Sequence, residues 1–224
     1  MFPLIDIHTH RPEPGTTCIR NIRLQGTVPA WPETDLFSAG IHPWDAAEAQ
    51  EGWLDTIPAD HPRLLAIGET GLDLRDGYAP RDVQEKWLAK QTDLANRLRK
   101  PLVIHNVHAT EALQTFLKRR AAVPVLLHGF TGSPETAGQW LRQLPGVRFS
   151  FGSAVLRSPK TQKALQWIAM AKPEALFLET DDAPDVDLRE MYNFAAAQTG
   201  LDTDRLADLI RQNFNALFPN IPLR

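Results

Sequence analysis

The sequence predicts an α/β fold, a TIM-type (β/α)8 barrel that lacks helices after its first two strands. Three observations point there. Eight short apolar runs recur along the chain, helical patterns separate them from the fourth run onward, and the length of 224 residues lies near the roughly 250 such a barrel uses. Strands that alternate with helices pair in parallel, because a crossover returns each strand in the same direction. One domain over residues 1–224 is expected.

The first run, "LIDIHTH" at 4–10, is a buried strand in which Leu4, Ile5 and Ile7 are apolar. Side chains alternate along a strand, so Asp6, His8 and His10 share one face. The next runs are "CIRNIRL" at 18–24 and "LFSAGIH" at 36–42. The intervening residues 11–17 and 25–35 are too short and Pro-rich for covering helices. The later runs are "RLLAIGE" at 63–69, "PLVIH" at 101–105, "PVLLH" at 124–128, "VRFSFG" at 147–152 and "ALFLETD" at 175–181. Residues 80–99 give the clearest helix. Val83, Trp87, Leu88, Leu94, Ala95 and Leu98 follow helical spacing, and Pro80 suits a first turn. Further helices are expected near 46–57, 109–120, 134–143, 159–171, 187–199 and 203–217. Parallel strands are normally buried on both faces. The flank around Ile5, Ile7, Ile19 and Ile22 therefore needs another cover. The C-terminal helix near 203–217 and the loop of Val28, Pro29 and Trp31 are the expected cover in a monomer, and a dimer through this flank is the alternative.

Bulk properties exclude several classes. A net charge of -3 with a pI near 6.2 argues against a broad nucleic-acid-binding face, though not against a local anion site. The single cysteine, Cys18, excludes a disulfide framework. No run approaches the roughly 18 apolar residues of a membrane span, and no targeting segment is visible, so a cytoplasmic protein is expected.

Chemistry collects at the C-terminal ends of the strands, where barrel active sites are built. His8 and His10 end the first run, His42 the third, Glu69 the fourth, His105 the fifth, His128 the sixth and Asp181 the eighth. Five of seven histidines fall there, a bias that scattered structural histidines would not show. Histidine with carboxylate and without cysteine suits a hydrolytic centre of Zn²⁺, Mn²⁺ or Mg²⁺. The ligand count exceeds one tetrahedral ion and fits two ions bridged by a carboxylate. Asp6 reads as a buried hydrogen-bonded acid or as a partner of a ligand imidazole. His42 reads equally as a substrate contact or as loop packing. Trp31 and Trp44 could wall the mouth, with core packing as the default. Gly68 and Gly71 are expected to let the backbone turn beside Glu69. The clusters "NRLRK" at 96–100 and "KRR" at 118–120 end helices on the opposite face, which leaves Arg75, Arg157 and Lys160 as candidate phosphate contacts, offset by Asp73, Asp185 and Asp187.

The ordered set "DIHTH", "GIHPW", "IGETGLD", "PLVIH", "LLHGFTGS" and "LETDDAP", with "NFNALF" at 213–218, resembles the TatD family of metal-dependent hydrolases. The resemblance implies a TIM barrel with divalent-metal-dependent deoxyribonuclease activity. It implies that His8 and His10 hold one metal, Glu69 bridges, His105 and His128 hold the second, and Asp181 touches the first metal and the attacking water. Asp181 and Glu69 would then be catalytic, and a metal-bound hydroxide would attack phosphorus in DNA or a small phosphoester. Hydrolysis of a small amide, lactone or phosphoester on the same machinery is the alternative. The chain departs from the family pattern at Arg11-Pro12, at Asn106-Val107-His108 after the fifth run, and at the additional Asp182.

Overall fold

A computed structural model describes residues 3–221 and residue 223. The chain folds as a TIM-type (β/α)8 barrel whose eight strands follow chain order in one sheet. The strands are β1 (Ile5–Thr9), β2 (Thr17–Arg23), β3 (Leu36–Gly40), β4 (Leu64–Asp73), β5 (Leu102–Val107), β6 (Val125–Leu127), β7 (Val147–Phe151) and β8 (Leu176–Leu178). The helices are α1 (Arg81–Leu98), α2 (Thr110–Arg120), α3 (Pro134–Gln143), α4 (Pro159–Ala171), α5 (Leu188–Thr199) and α6 (Thr203–Leu217). Two compact units result, one from Arg20 to Leu127 and one from the segments before and after it.

In the Arg20–Leu127 unit, β3 to β6 pair in parallel, with Phe37 opposite Leu64 and Leu102 opposite Val125. β4 is buried along all ten residues. It runs four residues beyond Glu69, so Glu69 lies inside the strand and not at its end. The reason is that Thr70 to Asp73 keep pairing with Ile104 to Val107. Gly71 makes this close approach possible. Its φ of +142° is strained for any side chain, and a Cβ there would strike the His105 carbonyl oxygen. Two buried glutamines on α1, seven residues apart and so on one face, peg the helix. Gln91 bonds Ile41 N at 2.8 Å and Ile41 O at 3.0 Å, while Gln84 bonds Asp73 N and O, each at 2.8 Å.

The expected helix near 46–57 is instead two 3-10 turns, Pro43–Asp45 and Glu51–Thr56. Gly52 disfavours helix, Pro58 ends the segment, and so short a stretch does not overcome the cost of helix nucleation. Among the described residues no helix lies between β1 and β2 or between β2 and β3. Trp31 stacks on buried Phe37 at 5.6 Å, whereas Val28 is 66 % exposed and covers little.

In the other unit, β7 pairs in parallel with β8. Thr9 bridges Asp181, so the first strand meets the segment after the last. α6 packs on β1, where Ile5 and Ile7 are buried, and α5 reaches it through Tyr192. The Tyr192 hydroxyl accepts from Ile5 N at 3.2 Å and donates to Ile5 O at 2.9 Å. Burial pushes its phenol pKa up, so it stays a neutral donor. Tyr192→Phe leaves two buried backbone groups short of a partner. Urea unfolding of the variant is expected to show a loss of about 1–3 kcal/mol, and an unchanged midpoint would disprove this clamp. No described helix is long and apolar enough to cross a membrane.

Candidate metal centre

Two groups of possible metal donors lie wholly within one unit each. In the first, His8 and His10 stand on the same face of β1 and its extension. His8 is fully buried and the His10 side chain is 27 % exposed. Their Nε2 atoms each lie 3.5 Å from the same oxygen, Asp181 Oδ1. Backbone bonds fix this meeting, from His10 N to Asp181 O at 2.9 Å and from Asp181 N to His8 O at 3.0 Å. Asp181 has φ +56°, the left-handed turn that aspartate tolerates, and this turn presents its carboxylate at a partly open position. The spacing suits a cation. Two ligands about 2.1 Å from one tetrahedral ion stand roughly 3.4 Å apart, wider than a strong hydrogen bond.

The His128 ring lies 4.4 Å from the His8 ring, and His8, His128 and Asp181 form a set of donors within 4.8 Å. Buried Glu179 stands behind it. Its Oε1 accepts from Gly129 N at 2.7 Å and lies 3.4 Å from His128 Nδ1. Its Oε2 is buried without a hydrogen-bond partner among the described residues, an arrangement that a nearby cation or proton would relieve. Asp6 anchors the same turn, accepting from Thr180 Oγ1 at 2.6 Å and Thr180 N at 3.1 Å. Burial pushes its carboxyl pKa up to about 7, against the opposing pull of those bonds. These bonds fit the reading of Asp6 as a hydrogen-bonded interior acid.

The second group centres on Glu69, with His42 and His105. Glu69 Oε1 lies 2.7 Å from His105 Nδ1 and 3.0 Å from His42 Nε2. Asn21 holds the rest of the residue, donating to Glu69 Oε2 at 3.2 Å and accepting from Glu69 N at 3.1 Å. His42 Nδ1 accepts from Trp44 N at 3.1 Å, so its neutral ring carries the proton on Nε2 and donates it to Glu69. Burial holds the His42 imidazole below its ordinary pKa despite the carboxylate, consistent with that neutral form. The other His105 nitrogen, Nε2, lies 3.2 Å from Asp73 Oδ2. Asp73 also accepts from Trp44 Nε1 at 2.8 Å and from Arg75 at 2.6 and 2.9 Å. Burial pushes its pKa up, but the bonds from Arg75, Trp44 and His105 outweigh this and hold it well below the carboxylate range.

The structure thus brings His8, His10, His128 and Asp181 together in one unit and His42, Glu69 and His105 in the other. Arg157 and Lys160 are exposed, Arg157 after a 3-10 turn and Lys160 in the first turn of α4. Two supporting residues, Asn21 and Glu179, went unassigned in the sequence, and Asp73 was assigned only as a charge offsetting Arg75, a pairing the structure contains. Glu179 had a signal, since it precedes Asp181 by two on an extended run and so shares its face. Asn21 interrupts an apolar strand, a weaker sign.

The family model for TatD related DNase matches residues 16–219, which leaves His8 and His10 outside the matched span. The chain is 34% identical over 156 residues to the metal-dependent hydrolase YabD of Bacillus subtilis, covering 66% of this chain and 60% of the relative. It is 31% identical over 173 residues to human deoxyribonuclease TATDN3, covering 71% and 61%. It is 29% identical over 185 residues to the 3'-5' ssDNA/RNA exonuclease TatD of a Rahnella species, covering 80% and 68%. The matched region spans about 60% of the length of the first two of these relatives. Among solved structures, YjjV of Escherichia coli superposes with a TM-score of 0.74 at 22% identity, covering 98% of both chains. A TatD family protein of Entamoeba histolytica superposes with a TM-score of 0.77 at 14% identity, covering 98% and 99%. These two likenesses establish the fold, and the family match over residues 16–219 establishes that this chain belongs to the TatD family of metal-dependent hydrolases.

Proposed function

We propose that this protein is a divalent-metal-dependent phosphodiester hydrolase whose substrate is DNA or a small phosphoester. The observation that carries the reading is the convergence of His8 Nε2 and His10 Nε2 on Asp181 Oδ1 at 3.5 Å. The proposed ligands for two ions, Zn²⁺, Mn²⁺ or Mg²⁺, are His8, His10, Glu69, His105, His128 and Asp181. Bound there, such ions supply Lewis acidity toward a phosphoryl group and make a water molecule more acidic.

The chain's own residues do the rest. Asp181, the partly exposed member, orients the attacking water and takes its proton. Asn21 and His42 each donate to one oxygen of Glu69 and fix its carboxylate plane. Asp73 fixes the tilt of the His105 ring through Nε2. Arg157 and Lys160 remain the proposed phosphate contacts, together with His42 as a wall of the site. A cytoplasmic monomer is part of the proposal, supported by the single cysteine of the sequence and by the contacts that α5 and α6 make with β1.

The test is a substrate panel of single-stranded DNA, duplex DNA, a simple phosphodiester and simple lactones, each assayed with Mg²⁺, Mn²⁺ and Zn²⁺. Phosphodiester cleavage that chelation abolishes is the expected result. Turnover of lactones with none of any phosphoester would overturn the reading in favour of a small-molecule hydrolase.

A further inference from the structure

We propose that Trp44 and Tyr78 form a stacking ledge for an unpaired nucleobase beside the Glu69–His105 group. This rests on the phosphodiesterase reading and adds to it a subsite that contacts a base. The two rings are parallel within 3° at a centroid distance of 5.3 Å. Trp44 is 38 % exposed, one of three large hydrophobic side chains exposed among the described residues. An exposed indole is ordinarily mobile, but this one is held on several sides. Its Nε1 donates to Asp73, the His42 ring meets it edge-on at 4.6 Å, and the guanidiniums of Arg23 and Arg75 lie 5.4 and 5.9 Å from its centroid. Arg75 also lies 5.3 Å from the Tyr78 ring.

The ledge is joined to the chemistry. Asp73 Oδ2, which holds the indole, also touches His105 Nε2, and the Trp44 and His105 ring centroids are 6.0 Å apart. A base stacked on the ledge would place its sugar-phosphate within reach of the Glu69–His105 group. Both arginines are already paired, Arg75 with Asp73 and Arg23 with Asp45, so they stiffen the ledge and offer little free charge. Recognition should therefore come from the π-face that every base has, and so tolerate any sequence. A base inside a duplex has both faces covered by its neighbours, which makes a single strand the fitting partner.

The experiment compares single-stranded oligonucleotides whose terminal residue is either adenine-bearing or abasic, cleaved by the metal-loaded protein. The expected KM for the abasic end is about tenfold higher. In Trp44→Ala and in Tyr78→Ala this ratio should fall to about one, while Trp44→Phe and Tyr78→Phe should retain most of it. A second readout needs no turnover. An oligonucleotide with terminal 2-aminopurine and an uncleavable methylphosphonate linkage should lose fluorescence on binding the metal-loaded wild type and keep it with Trp44→Ala. Equal KM values for both ends in a wild type that cleaves both would overturn the ledge and leave the phosphodiesterase reading intact. Absence of any cleavage with quenching preserved would support the ledge and remove single-stranded DNA as a substrate, and absence of both cleavage and quenching would overturn the ledge.

Discussion

Asp181→Asn should lower turnover by about 10²–10⁴-fold at saturating metal, because the amide cannot take a proton from the attacking water. Weakened metal binding would add to the loss, since a neutral oxygen replaces a carboxylate beside the His8 and His10 nitrogens. The fold should survive. Main-chain bonds of Asp181 hold this turn, and asparagine adopts a φ near +56° as readily as aspartate. Circular dichroism and thermal melting should therefore match wild type while cleavage collapses. An Asp181→Asn protein within a few-fold of wild-type activity would remove this residue from the mechanism.

The double variant His8→Ala with His10→Ala should lose at least one bound divalent ion per chain, with activity lost alongside it. Both substitutions delete a nitrogen donor that faces Asp181 Oδ1, and alanine offers nothing in return. His42, Glu69 and His105 keep their own donor atoms in the variant, so residual metal is expected and total loss is not required. Metal content by mass spectrometry after dialysis against Mn²⁺ or Zn²⁺ reads this without an activity assay. Full stoichiometry in the double variant would show that the metal sits elsewhere.

Much of this was legible in the sequence because it depends on local pattern. Alternation along "LIDIHTH" puts Asp6, His8 and His10 on one face wherever the strand goes. The α1 pattern likewise finds buried Trp87, Leu88, Leu94 and Ala95. The absence of helices in 11–17 and 25–35 follows from length and proline alone. The 3-10 turns at 43–45 and 51–56 were not legible, because apolar spacing does not separate them from an α-helix. Nor was the extension of β4 to Asp73. "TGLD" reads as a turn, and only pairing with β5 and the Gln84 side chain keep it extended. Asn21, Asp73 and Glu179 act on partners 48, 32 and 50 residues away, and no short pattern carries such a pairing.

The bridge between Thr9 and Asp181 sets an order of events during synthesis. His8 and His10 are made early, but Asp181, which completes their group, and Tyr192, which clamps Ile5, come about 170 residues or more later. At ribosomal speeds of about 5–20 residues per second, that delay is roughly ten to thirty seconds. During it β1 has neither its β8-side neighbour nor the contacts of α5 and α6, and its backbone groups are open to pairing with other nascent strands. If His8, His10 and Asp181 hold a metal as proposed, its capture belongs to the final stage of chain assembly, and truncated products should accumulate as metal-poor, aggregation-prone species.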